Sequence, residues 1–266
     1  MIMGRTVSAM RPSTLKWWQY ATEPTEQEGS IMNSKIIVAW LLALVMLLSL
    51  CACGDKTPDS TEPEHPTADV SLPDDSNNQT AFLGRDLYIT HVGNYTGAYM
   101  EDGSDEVVSD ILMIILKNEG KMPLQLARIT LEYADFTANF EATNVPAGEM
   151  VVLLEKNRHE YVSDNFYGAT ATDVVFFQED MSLQEDKLKI TGANGSLTVE
   201  NLTNEEMGEI YIYYKNSASD GLFYGGITYR TRVAAGLKPG KSTTVTTGHY
   251  YANACTILDV QIVPVE

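Results

Sequence analysis

The pattern of apolar and polar positions divides the chain into three regimes. Residues 36–50 (IIVAWLLALVMLLSL) are apolar apart from Ser49, with Lys35 before them and Cys51, Ala52 and Cys53 after. Residues 55–80 hold few large apolar side chains and are rich in Pro, Asp, Glu, Ser and Thr. From about Phe82 onward, short β-branched and aromatic runs are separated by clusters of Gly, Asn, Asp and Pro, without long helical periodicity. That pattern predicts strands joined by turns.

The apolar run covers 15 residues. A helix rising about 1.5 Å per residue needs about 20 to cross the hydrocarbon of a bilayer. The run therefore predicts the hydrophobic part of an export signal, spanning 32–52, and not a permanent span. Such signals sit at the N-terminus, yet 31 residues precede Met32. Gln27-Glu28-Gly29 can be encoded with an AGGAGG ribosome-binding sequence, which places the expected start at Met32. The other reading of residues 1–31 is a short cytoplasmic tail with Trp17 and Trp18 at a membrane surface. Residues 53–81 predict a disordered tether, since they cannot bury enough surface to offset the entropy of ordering them. Pro58, Pro63, Pro66 and Pro73 stiffen it locally, and His65 within it reads as an exposed linker residue.

In the third regime, residues 87–91 form a first short strand. Residues 107–117 (VVSDILMIILK) are apolar on both sides from 111 to 116, which predicts a central strand covered on both faces. After the turn 118–121, residues 125–133 alternate, with Ala127, Ile129, Leu131 and Tyr133 on the inner side. Strands at 136–143, 150–154 and 173–178 follow, and the acidic stretch 181–187 reads as a loop or one helical turn. A second block starts near Leu188, with strands at 196–201, 209–215, 226–232, 243–247 and 256–263. Short strands at this spacing predict an all-β chain of two tandem antiparallel β-sandwiches, 82–187 and 188–266. The blocks look like versions of one another: Lys117-Asn118 and Lys215-Asn216 each end a strand, and Pro146/Gly148 and Pro239/Gly240 each make a turn into the next.

Charge and cysteine content narrow the functional classes. From Cys53 onward there are 14 Lys and Arg against 33 Asp and Glu, a net charge of −19. So acidic a surface repels phosphate backbones and excludes nucleic acid as a partner. It also gives no attraction to an anionic membrane. Beyond Cys53 only Cys255 remains, so the strand-rich part cannot form a disulfide within itself and its fold must rest on its core. Cys255 is expected to be a buried structural thiol sharing a face with Ile257.

Candidate chemistry is sparse. No HExxH, paired CxxC, GxSxG or phosphate-loop motif is present. His65, His91, His159 and His249 are dispersed, so no catalytic residue, metal site or cofactor is expected. The loop Glu101-Asp102-Gly103-Ser104-Asp105-Glu106 clusters carboxylates as calcium sites do, without the spacing of a helix–loop–helix calcium loop; it reads as a solvated hairpin tip. Tyrosine is concentrated late in the chain. On the strand 209–215, Ile210, Ile212 and Tyr214 share one face while Tyr211 and Tyr213 share the other. If the isoleucine face is core, Tyr211 and Tyr213 are candidate ligand-binding side chains, able to stack on sugars or on a protein partner. The other reading is ordinary cross-strand packing.

Leu50-Cys51-Ala52-Cys53-Gly54 resembles the lipobox of bacterial lipoproteins. That resemblance implies cleavage before Cys53, a diacylglycerol on its sulfur, and attachment to the outer side of the cell membrane. Cys53 fits better than Cys51, because the pattern wants an aliphatic residue three before the cysteine and a small one directly before it. Leu50 and Ala52 satisfy both, whereas Leu50 directly before Cys51 is bulky. The second block, over 190–263, resembles the FxLYD-type immunoglobulin-like domains of Gram-positive surface lipoproteins. Val199-Glu200-Asn201-Leu202-Thr203, the strand 210–214, Gly221 and Leu237-Lys238-Pro239-Gly240 carry the match. Tyr214-Lys215-Asn216 departs from the aromatic-Asp often found there. The resemblance implies a non-catalytic binding or spacer module meeting an unknown protein or glycan at the cell surface. The alternatives are a glycan- or solute-binding lipoprotein, or an accessory subunit of an envelope enzyme.

Overall fold

The computed structural model describes residues 79–218 and 221–264. The signal, the tether through residue 78 and both lipobox cysteines lie outside the described residues. What is described is all-β, as the turn-punctuated pattern predicts. Block one contains β1 (Ala81–Gly84), β2 (Leu87–Tyr99), β3 (Glu106–Asn118), β4 (Leu124–Glu132), β5 (Thr137–Val145), β6 (Met150–Leu154) and β7 (Gly168–Phe176). Block two contains β8 (Leu188–Ala193), β9 (Ser196–Asn201), β10 (Glu209–Ser217), β11 (Phe223–Val233), β12 (Ser242–Thr246) and β13 (Cys255–Val263). β1 and β8 are absent from the sequence reading, being short and weakly apolar. β2 runs on past the expected end at His91, because Gly93 and Gly97 sit inside it as strand residues and not as turns.

Each block has two layers around its own core. In block one, β2, β3 and β6 face β5, β4 and β7 across Leu112, Ile114, Leu116, Ile129, Leu131 and Phe140. In block two, β12, β9 and β8 face β11, β10 and β13 across Leu197, Val199, Ile210, Ile212 and Val260. The alternation in β4 holds: Ala127, Ile129 and Leu131 are buried while Arg128 and Glu132 are exposed.

The blocks are not separate sheets, and the pairing is not antiparallel throughout. β6 of block one pairs in parallel with β11 of block two, Val151 opposite Phe223 and Val152 opposite Tyr224. A single seven-stranded sheet results, in the order β1-β2-β3-β6-β11-β10-β13. This junction accounts for the two-sided apolar run in β3. Ile111, Met113 and Ile115 point away from the block-one core and join a third cluster with Tyr95, Tyr99 and Leu154, against which Leu222 and Tyr224 of block two pack.

The two blocks repeat a hydrogen-bonded corner. Buried Asn118, at the end of β3, donates through Nδ2 to the carbonyls of Met122, Val145 and Pro146, and its Oδ1 accepts from Gly120 N–H. Buried Asn201, at the end of β9, donates to Glu205 and Leu237 and accepts from Thr203 N–H. The main chain of each asparagine also pairs with the turn after the next two strands: Gly148 N–H to Asn118 O, and Gly240 N–H to Asn201 O. Both glycines have positive φ, +80° and +62°, which a β-carbon would strain. The internal repeat thus pairs β3 with β9 and Asn118 with Asn201. The expected match of Lys117-Asn118 with Lys215-Asn216 is displaced by one strand, because a Lys-Asn pair at a strand end is a weaker marker than the asparagine's bonds.

Candidate functional site

β10 lies next to the edge of its sheet, between β11 and the edge strand β13. Ile210, Ile212 and Tyr214 are buried in the block-two core, which leaves Tyr211 and Tyr213 on the opposite face, each partly exposed. The two tyrosines have different surroundings. Tyr211 donates its hydroxyl to Glu209 at 2.7 Å, and the Arg230 guanidinium lies 5.2 Å from its ring centroid. Glu209 is in turn paired with Arg232, which holds its carboxyl below the usual range, while the bond to Glu209 raises the Tyr211 phenol. Tyr213 is less engaged, with one long bond of 3.4 Å to Gln261.

Tyr213 forms part of an open groove of about 590 Å³ that draws on both blocks. Leu126 of β4, Val175 of β7 and Ile227 of β11 supply its apolar wall. Val175 is 45 % exposed. The floor is fixed by Thr143, whose Oγ1 donates to Gly226 O at 2.7 Å and lies 2.9 Å from Thr228 Oγ1. Gln125 and Asn144 complete the lining with two side-chain amides. Asn144 takes φ +48°, the left-handed conformation that Asn tolerates better than most residues. Of the two tyrosines singled out from the sequence, only Tyr213 lines the groove.

The groove keeps its shape because the junction beside it is tied by buried polar groups. Between Tyr214 and Asn216 the ladder to β11 skips from Tyr229 to Tyr224, so the intervening β11 residues bulge out of the pairing. Lys215, fully buried, answers the bulge: its Nζ donates to the carbonyls of Gly225, Gly226 and Ile227 at 2.7, 3.0 and 2.5 Å. Glu101 approaches from block one and accepts from Gly226 N–H and Leu154 N–H. Carboxylate and ammonium therefore hold the two backbone groups of one glycine. Burial pushes Glu101 up and Lys215 down from their ordinary ranges. Each charge is satisfied by several polar partners, as a buried charge must be to persist. Gly226 itself has no room for a side chain, since a β-carbon would overlap the carbonyl oxygen of Glu141.

The acidic loop is not the free hairpin tip expected from sequence. Glu101 is consumed by the junction, Asp102 and Glu106 pair with Arg158, and Asp105 meets His249 Nδ1 at 3.0 Å. Those carboxylates are spread over separate partners and do not converge on one point. Among the described residues no group of three or more His, Cys, Asp or Glu side chains is placed to hold a metal ion. His159 packs in a tilted ring pair with Phe136, and His91 is buried, with its pKa lowered by that burial. Cys255 is half-buried against the block-two core together with Ile257. Its thiol donates to Asn216 Oδ1 and accepts from Tyr251 N–H, and burial pushes its pKa up to about 11. That is a structural thiol and not an activated nucleophile. Sequence reasoning missed Glu101 and Lys215. The one available signal was a lysine inside an otherwise apolar strand, Tyr213-Tyr214-Lys215.

The chain matches no known protein family, no curated protein and no solved structure. The functional reading therefore rests on the groove and its surroundings. Among the described residues no helix is long and apolar enough to cross a membrane.

Proposed function

We propose that the chain is a non-catalytic binding module held on the outer face of a cell membrane. In this reading residues 32–52 are removed as a signal, Cys53 carries diacylglycerol, and the tether lifts the strand-built body away from the lipid. The body is read as two immunoglobulin-like sandwiches, the second of the FxLYD type, with a protein or glycan of the cell surface as partner. The observation that carries the reading is the groove: an aromatic side chain and two amides stand on a surface built by both blocks and fixed by a tied junction. The titratable groups nearby are already committed to structure. Glu101 and Lys215 hold backbone groups, His249 holds Asp105, and Cys255 is far from ionisation at neutral pH.

The test is capture from intact cell envelope, using the full chain immobilised through its C-terminus. A component retained by wild type and lost with Tyr213→Ala supports a binding module. A second reading, a spacer, is favoured by the same tied junction, which makes the body stiff. A spacer retains nothing that depends on Tyr213, so capture indifferent to that side chain would favour the spacer and remove the binding role.

A further inference from the structure

We infer that the groove beside Tyr213 takes an uncharged sugar ring of a neutral glycan. This rests on the binding-module reading and names the ligand class of the same site. Charge is the first ground. The chain carries a net charge of −18, yet among the described residues none that lines this groove is charged. A polyanion would gain no cationic partner there and would meet repulsion from the rest of the molecule. A cationic ligand would find no carboxylate in the groove, so its attraction would be to other surfaces.

The second ground is the mixture of side chains. A sugar ring is apolar on its C–H faces and polar around its rim. Tyr213, with Leu126 and Ile227, offers the apolar surface, and an aromatic ring is well suited to stack on such a face. Gln125 and Asn144 offer the polar complement. Each amide can both donate and accept, as a sugar hydroxyl does. Among the described residues neither amide has a hydrogen-bond partner, whereas the hydroxyls of Thr143 and Thr228 are already bonded to each other. A purely apolar ligand would cover both amides without satisfying them, which is unfavourable. The groove's volume of about 590 Å³ lies within the range of about 300–1,000 Å³ typical of small-molecule sites. Its openness to solvent along one side suits a chain that enters and leaves, so a short stretch within a polysaccharide fits as well as a free end.

The experiment titrates the full chain in detergent with neutral hexasaccharides: β-glucan, xylan, mannan, galactan and N-acetylglucosamine types. Polygalacturonate, polyglycerol phosphate and a tryptic peptide mixture of envelope proteins serve as competitors. Binding is read by isothermal titration and by saturation-transfer signals from sugar protons. At least one neutral hexasaccharide should bind, with affinity falling at least tenfold in Tyr213→Ala and in the double variant Gln125→Ala/Asn144→Gly. Tyr167→Ser, which changes an exposed tyrosine at the other end of β7 from Val175, should leave it within twofold. Both effects must appear with unchanged melting curves. Absence of binding by every neutral sugar, or binding that survives Tyr213→Ala, overturns the sugar assignment. Displacement of a Tyr213-dependent envelope component by the polyanions or peptides alone also overturns it, while leaving the binding-module reading intact. If neither sugars nor envelope components depend on Tyr213, both readings fall.

Discussion

The Lys215 ammonium has no exposed surface and donates to three carbonyls of one strand. Its removal leaves those carbonyls unserved and takes away the main countercharge of the Glu101 carboxylate. Breaking such a buried pair costs about 3–5 kcal/mol. At about 2–4 °C per kcal/mol for a body of this size, Lys215→Met should lower Tm by roughly 6–20 °C. Glu101→Gln should cost less, since the amide oxygen still accepts from Gly226 N–H, and the double variant should lose less than the two singles combined. Additive losses in thermal unfolding would show that the two groups act independently. His91 gives a pH-dependent test. Burial lowers its pKa from 6.5, so the folded state binds fewer protons than the unfolded chain just below pH 6.5. Its contribution to stability is therefore full above 6.5 and declines as pH falls toward the folded value. Wild type should lose stability relative to His91→Leu between pH 7.5 and 5.5; a difference that stays constant with pH would contradict this. At this scale the outward aim of Tyr211 and Tyr213 was legible from alternation alone, because β10 is regular where they lie. The burial of Glu101 was not legible: it opens a run of carboxylates, and only the three-dimensional junction separates it from its exposed neighbours.

Among the elements, β3 and β13 show what periodicity can and cannot give. The unbroken apolar run in β3 correctly implied cover on both faces, but on one face that cover combines Tyr95, Tyr99 and Met100 of the same block with Leu222 and Tyr224 of the other, which no local pattern announces. In β13 simple alternation fails at Leu258. The register with β10 shifts there, Ile257 facing Tyr214 and Asp259 facing Tyr213. Ile257, Val260 and Ile262 consequently share the block-two core while Leu258 turns to the block-one cluster. A bulge breaks the period of two, and nothing in the residue types at 256–263 marks its place. The junction of β6 and β11 is equally silent in sequence, since its register involves only two residue pairs. Just beyond it, at Gly226, β11 passes against the Glu141 carbonyl of β5 with no room for a β-carbon. Gly226→Ala forces β11 away from the Glu141 carbonyl and should cost about 1–3 kcal/mol. The groove floor would shift with it. Hydrogen exchange should then speed up in β6 and β11 together while β8 and β9 stay protected. Uniform loss across both blocks would show that the junction is not a local feature.

For the whole molecule, attachment and presentation are separable. In the proposed reading Cys53 carries the lipid, and the two acyl chains of a diacylglycerol would supply the paired anchor that stable attachment needs. In a Gram-positive host, Cys53→Ala should abolish lipid labelling and release or misprocess the protein, whereas Cys51→Ala should be tolerated. The reverse pattern would move the lipid to Cys51. Limited proteolysis should cut first within residues 55–78 and leave the strands intact; early cleavage within 111–116 would contradict the central placement of β3. The all-β class was legible from turn spacing. The shared sheet was not, because edge pairing between distant strands leaves no local trace. The proposed binding face is the one carrying Tyr211 and Tyr213, which lies opposite the block-two core. The most direct measurement is to replace both by Ser and to follow, in the same preparation, thermal unfolding and capture of envelope components. A Tm within about 3 °C of wild type, which is about 1 kcal/mol for this size, together with lost capture is the predicted result. Capture that persists unchanged, or a fall in Tm large enough to make the tyrosines part of the core, would contradict it.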